Sequence, residues 1–230
     1  MQYTWFIWSL ILILIWIALY ASPRSSKSRR EMLIVSLWTS LLGFTEPLFV
    51  PAYWLPPSLF NLAARTHFDI ESLIFSFGIG GIAAFLYNHI FRRKEIAVPA
   101  SERHAQHHRY HLLAILSAPA ILILLLLITR FNPIYSSITA MIVGGLATWY
   151  CRPDLKKKMF VSAFLFLILY FLYFLVLVRL WPGYVQQVWN LKAISGILIF
   201  GVPLEELLFA ASFGFLWSSI YEHFSWHKIN

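Results

Sequence analysis

The chain has 230 residues, 60% of them hydrophobic and 12% charged, with a formal net charge of +8. A soluble domain carries about a quarter charged residues, so this composition excludes an ordinary soluble globule and points to an integral membrane protein. The basic residues lie between apolar runs, which argues against a nucleic-acid surface and for charged loops at a membrane.

The first apolar run, Tyr3–Ala21, has the length needed to span a bilayer, about 20 residues. It lacks a basic leader and an Ala-x-Ala-like cleavage site, so a retained helix is expected. Further apolar runs follow at 31–50, 69–91, 112–130, 133–150, 159–180 and 195–222. The fifth of these has a polar start, "NPIYSSITAMIVGG". Together they predict an all-α integral membrane protein with seven transmembrane helices.

Loop charges orient these spans. The three even-side loops and the tail hold Arg24, Lys27, Arg29, Arg30, Arg92, Arg93, Lys94, Arg103, Arg109, Arg152, Lys156, Lys157, Lys158 and Lys228. The opposite side holds Arg65, Arg130, Arg179 and Lys192. Cytoplasmic loops are enriched in Lys and Arg, so the N-terminus is expected outside and the C-terminus in the cytoplasm. Cys151 is the sole cysteine, which rules out an internal disulfide and leaves no cysteine metal cluster to expect.

The third and seventh runs resemble one another. "DIESLIFSFGIGGIAAFLYNHIF" (69–91) aligns without a gap on "PLEELLFAASFGFLWSSIYEHF" (203–224). Glu71 falls on Glu205, Phe75 on Phe209, Gly80 on Gly214, Tyr87 on Tyr221 and His89 on His223. We therefore expect two parallel three-helix repeats, 1–92 and 132–230, joined by a basic, His-rich loop and a connecting helix at 93–131. Sites in repeat-built membrane proteins tend to lie where repeats meet, so Glu71 and Glu205 are expected to face each other.

The chain has ten acidic residues. Glu31, Glu95, Glu102, Asp154 and Glu222 sit near basic loops and are expected to offset charge there. Glu46, Asp69, Glu71, Glu205 and Glu206 fall instead in the outer half of the predicted second, third and seventh helices. Structural carboxylates that hydrogen-bond across helices would account for one or two of them. Five at one depth each add a desolvation cost, and ionisable residues inside a membrane are functional candidates by default. Apolar surroundings and a neighbouring carboxylate both favour the protonated carboxyl, which can then serve as a general acid. Adjacent helical residues point about 100° apart, so Glu205 and Glu206 cannot face one point equally. Glu205 has a repeat counterpart and Glu206 aligns with Ser72. The expected central pair is therefore Glu71 and Glu205, with Glu206, Glu46 and Asp69 supporting.

Other chemistries lack their residues. "GIGG" (78–81) lies inside a predicted helix and is not a dinucleotide fingerprint. No lysine lies inside a span, and only Asp69 and Asp154 are present, too few for paired Asp-rich diphosphate motifs. The run "RHAQHHRYH" (103–111) carries His104, His107, His108 and His111. Its spacing suits a metal, but a solvated basic loop is the expectation, with no metal and no cofactor. Buried acid together with abundant aromatics suits proton-initiated chemistry on an apolar substrate, with aromatic faces stabilising a cation. Phe75, Phe209, Tyr53 and Trp54 are the candidate faces.

The stretches "FTEPLFVPAYW" (44–54), "FDIESLIFSFGIGGIAAFLY" (68–87) and "GVPLEELLF" (201–209) resemble the non-flavin lycopene cyclase family. Its members occur as paired small subunits or as fused domains, and this sequence looks like the fused form. The resemblance implies a lycopene β-cyclase, an isomerase acting on lycopene or a related acyclic carotenoid in the bilayer, without redox change. A ψ-end is protonated at C2, the C1 cation is captured by the C5–C6 double bond, and loss of the C6 proton gives a β-ring. The family's Glu-Pro motif falls on Glu46–Pro47, its Asp-x-Glu on Asp69 and Glu71, and its Pro-x-Glu-Glu on Pro203, Glu205 and Glu206. Two alternatives remain at this point. "EELLFA" resembles the Glu-Glu-x-x-x-Arg motif of prenyl-protein-processing metallopeptidases, although Ala210 stands where Arg is expected and His89 and His223 should lie at the far end of their spans. A non-catalytic carotenoid-binding subunit would keep the aromatics without needing the acids. Ring type, the number of ends cyclised and oligomeric state are not legible.

Overall fold

The computed structural model describes residues 2–22, 26–93, 95–103 and 108–229. Arg24, Lys94, His104, His107 and the Glu95 side chain lie outside the described residues. The fold is all-α with two short antiparallel ladders. The helices are α1 (Thr4–Ala21), α2 (Ser26–Ser40), α3 (Leu62–Thr66), α4 (Ile70–Ile90), α5 (Ala100–Arg103), α6 (His111–Ile128), α7 (Pro133–Cys151), α8 (Lys156–Leu180), α9 (Tyr184–Val188), α10 (Leu204–Trp217) and α11 (Ile220–Ser225). Strands β1 (Glu95–Ala97) and β4 (His227–Ile229) pair, as do β2 (Leu198–Ile199) and β3 (Val202–Pro203).

Five helices are long and apolar enough to cross a membrane: Thr4–Ala21, Ile70–Ile90, His111–Ile128, Pro133–Cys151 and Pro153–Leu180. The second and seventh predicted runs are each divided. The second is helical to Ser40 and continues as a 3-10 helix, Leu41–Leu48. Pro47 lies inside it and has no N–H to donate. The seventh begins as a β2–β3 hairpin whose turn, Phe200 and Gly201, has positive φ at both residues, and α10 starts only at Leu204. Two consecutive positive-φ residues suit a tight hairpin and forbid a continuous helix.

The chain forms two compact units. The first comprises residues 1–82, 132–134 and 168–207. In it, Asp69 caps α4 by accepting the Ser72 N–H at 2.6 Å, which satisfies one of the helix's orphan donors. The Gly80–Gly81 pair lets α2 approach closely, because a Cβ at either position would overlap the Thr39 or Ser36 side chain. Small residues at helix contacts serve packing inside membranes in this way. Trp16 adds an indole N–H to Ser36 Oγ at 2.8 Å. Gly43 abuts the Leu73 backbone, which seats the 3-10 helix carrying Glu46 against the start of α4.

The second unit comprises 83–131, 135–167 and 208–230. Gly214 of α10 abuts Ser162, Ala163 and Phe166 of α8, just as its sequence counterpart Gly80 meets α2. Leu155, Met159 and Phe215 form a small core. Most of α6 is exposed, with Leu112, Leu116, Ile123, Leu127 and Ile128 all on the surface. In water such a face would be costly, whereas lipid is an equivalent solvent for it.

The basic loops are not uniformly solvated. Arg152 and Lys158 are buried. Arg152 pairs with Asp154 at 2.7 Å, and Lys158 pairs with Glu222. Glu31 lies 3.7 Å from Lys27 and Glu102 lies 2.8 Å from Lys228. Four of the five acids assigned to charge compensation thus form ion pairs.

Candidate active site

All five remaining acids, Glu46, Asp69, Glu71, Glu205 and Glu206, fall in the first unit and are buried. Among the described residues, Glu46, Asp69, Glu71 and Glu206 form no salt bridge; neutral donors hold those that are held at all. Glu71 and Glu205 occupy the same place, the second residue of α4 and of α10. Each accepts a backbone N–H from a residue upstream of its helix. Leu59 donates to Glu71 Oε1 at 2.7 Å and Ser195 donates to Glu205 Oε1 at 2.9 Å. Asp69 Oδ1 accepts the Trp5 indole N–H at 3.2 Å besides capping α4.

Glu206 differs from these. Its Oε1 accepts the Tyr53 hydroxyl at 2.7 Å and the Trp189 indole N–H at 2.9 Å, and its Oε2 accepts the Tyr170 hydroxyl at 2.7 Å. Three aromatic donors therefore clasp one carboxyl, at both oxygens. Burial and the Glu206 charge push the Tyr53 hydroxyl well above its ordinary range, so it stays a neutral donor. Burial, followed by the charges of Asp69 and Glu71, likewise raises Tyr184. Glu46 lies within electrostatic reach of Asp69 and Glu206.

These donors belong to a continuous aromatic cluster. Trp8 stacks on Tyr173 at 4.7 Å and meets Phe174 edge-on at 5.0 Å. Trp5 contacts Trp54 at 4.7 Å and Phe75 at 5.3 Å. Trp189 contacts Trp54 at 5.2 Å and Phe174 at 5.4 Å. Tyr173 is itself anchored by donating to the Trp8 carbonyl at 2.6 Å. Of the four candidate faces, Tyr53 donates to Glu206, and Trp54 and Phe75 both contact Trp5. Phe209 falls in the second unit, where it stacks on Phe213 at 5.5 Å.

Several carboxyl oxygens are buried without a hydrogen-bond partner among the described residues: Glu46 Oε1, Asp69 Oδ2 and Glu71 Oε2. Each such atom costs about 1–3 kcal/mol. Glu222 Oε2 in the second unit is in the same state; a catalytic role is among the standard causes of such atoms.

Sequence reasoning did not single out Tyr170, Tyr173, Trp5, Trp8, Trp189 or Tyr184. Their signal was present: Trp5/Trp8 and Tyr170/Tyr173 are i, i+3 pairs, which share a helix face. The two adjacent glutamates also differ in their hydrogen-bond donors. Glu205, ranked first because of its counterpart, fastens a loop, and Glu206 meets the aromatics.

Residues 132–224 match the family model described as lycopene cyclase. The likeness noted in the sequence is thereby shown over this range, which coincides closely with the predicted second repeat, and it supports a carotenoid cyclase role. No curated protein and no solved structure matches the chain.

Proposed function

We propose that the protein is a membrane-embedded lycopene β-cyclase that works by proton-initiated, redox-neutral ring closure. The observation that carries this reading is Glu206, a carboxyl clasped by three neutral aromatic donors inside a cluster of tryptophans and tyrosines. A carboxylate accepts at both oxygens and cannot donate while ionised, so this setting suits a group that faces a cation and later removes a proton. Glu46, with an unpartnered buried oxygen and no cation paired to it among the described residues, suits the acid that protonates C2. The faces of Trp5, Trp8, Phe75 and Trp189 then stabilise the C1 and C5 cations. Asp69, Glu71 and Glu205 hold α4, α10 and their preceding loops around this pair.

The proposal includes the finer architecture. Seven spans, the second and seventh interrupted near the site, form two parallel three-helix repeats with the N-terminus outside. Non-helical backbone at membrane depth is tolerated where it lines a site. The matching placements of Glu71 and Glu205, and of Gly80 and Gly214, support the duplication.

Expression in a lycopene-accumulating host tests the function. Pigment extracts should contain carotenoids with β-rings on chromatography. Unchanged lycopene, with the protein present in the membrane, overturns the reading.

A further inference from the structure

Two residues of the histidine run, His108 and His111, meet a cysteine. His111, the first residue of α6, points Nδ1 at Cys151 Sγ, the last residue of α7, at 3.4 Å. His108 Nδ1 lies 3.6 Å from the same sulfur. The three ligand atoms all lie within 4.8 Å of one another, and Cys151 is buried. A thiol has one proton, so it cannot donate to both imidazoles. Zinc–nitrogen and zinc–sulfur bonds at the tetrahedral angle place their two ligand atoms about 3.5 Å apart. Both observed separations fall at that value.

The surroundings fix the rings. Trp226 stacks on His111 at 4.0 Å with planes 20° apart, and meets His108 edge-on at 5.0 Å. His223 packs edge-on against His111 at 4.6 Å. It is 1% exposed, and its Nε2 has no hydrogen-bond partner among the described residues. Its Nδ1 lies 3.3 Å from Thr148 Oγ1, the kind of outer contact that orients a metal-ligating imidazole. All of these residues belong to the second unit.

We propose that His108, His111 and Cys151 form a binding site for a divalent transition metal of the zinc class. His223 or water takes the fourth position. Imidazole with thiolate selects Zn²⁺ or Co²⁺ over Mg²⁺ and Ca²⁺, which require oxygen ligands. Coordination releases the thiol proton and leaves Cys151 as a thiolate. The bound ion would fasten the start of α6 to the end of α7. The site is independent of the cyclase reading and shares no residue with it.

The test uses the full chain, purified in detergent, treated with a chelator and titrated with Co²⁺. A thiolate-to-cobalt charge-transfer band should grow to saturation at about one equivalent and be displaced by Zn²⁺ but not Mg²⁺. Cys151→Ser should abolish the band, and His111→Gln should weaken binding by more than about 100-fold. Zn²⁺ should raise the thermal midpoint of the parent and leave that of Cys151→Ser unchanged. No charge-transfer band in the folded parent overturns the site, whatever the variants do. A band that survives in Cys151→Ser overturns it as well. Lycopene conversion is scored separately: a protein that binds Co²⁺ but fails to cyclise keeps this site and loses the cyclase reading.

Discussion

Glu31 apart, the acids of the two compact units find different partners. In the second, Asp154 and Glu222 are matched to Arg152 and Lys158, and Glu222 also accepts from Asn88 at 3.4 Å. In the first, Glu46, Asp69, Glu71 and Glu206 are buried with no cation paired to them among the described residues. An ion pair holds a carboxylate in one protonation state, because losing its charge strands the partner. A carboxyl held by hydroxyl, indole and backbone N–H groups carries no such commitment. Asp154 and Glu222 are thus suited to holding the fold, and Glu206, in the proposed reaction, to moving a proton.

That contrast can be broken in several places. The largest effect is expected at Glu206→Gln. General acid–base groups contribute about 10²–10⁴-fold in rate, so cyclisation should fall by that factor while membrane insertion is retained. Full activity in this variant, measured as pigment conversion per folded protein, removes Glu206 from the mechanism. Glu222→Gln should act on stability instead. It leaves Lys158 buried and uncompensated, at a cost of about 3–5 kcal/mol. Thermal unfolding in detergent checks this, and replacing both partners with apolar residues should recover most of the loss. Equal loss of activity per folded molecule in Glu222→Gln and Glu206→Gln would erase the distinction between the units.

Smaller changes sharpen it. Tyr170→Phe removes one of three donors to Glu206, worth about 1–3 kcal/mol, so a rate loss of about 10- to 100-fold is expected with little change in stability. Glu71→Gln and Glu205→Gln keep a side-chain oxygen able to accept from Leu59 or Ser195. If these residues only fasten loops, both variants should stay within about tenfold of the parent. A loss as deep as that of Glu206→Gln returns them to the centre of the chemistry. Asp69→Ala should cost about 1 kcal/mol through the lost cap of α4, read as a lower unfolding midpoint, whereas Asp69→Asn should cost less.

The sequence by itself determined the membrane character, most of the five apolar spans and which acids fall inside apolar runs. These properties are local: apolarity accumulates along a run, and a charge within one stands out wherever the chain goes. It also exposed the likeness of "DIES" to "PLEE", whose glutamates Glu71 and Glu205 are each the second residue of a helix. The tertiary structure alone decided which neighbouring glutamate meets the aromatics. The Tyr53 and Tyr170 hydroxyls reach Glu206 across 153 and 36 positions of chain, and no local pattern encodes that meeting. It likewise decided that the second and seventh runs break, because Pro47 and the Phe200–Gly201 turn outweigh apolar composition. And it brought His108 and His111 to a cysteine 43 and 40 residues away, a pairing that spacing within the histidine run does not contain.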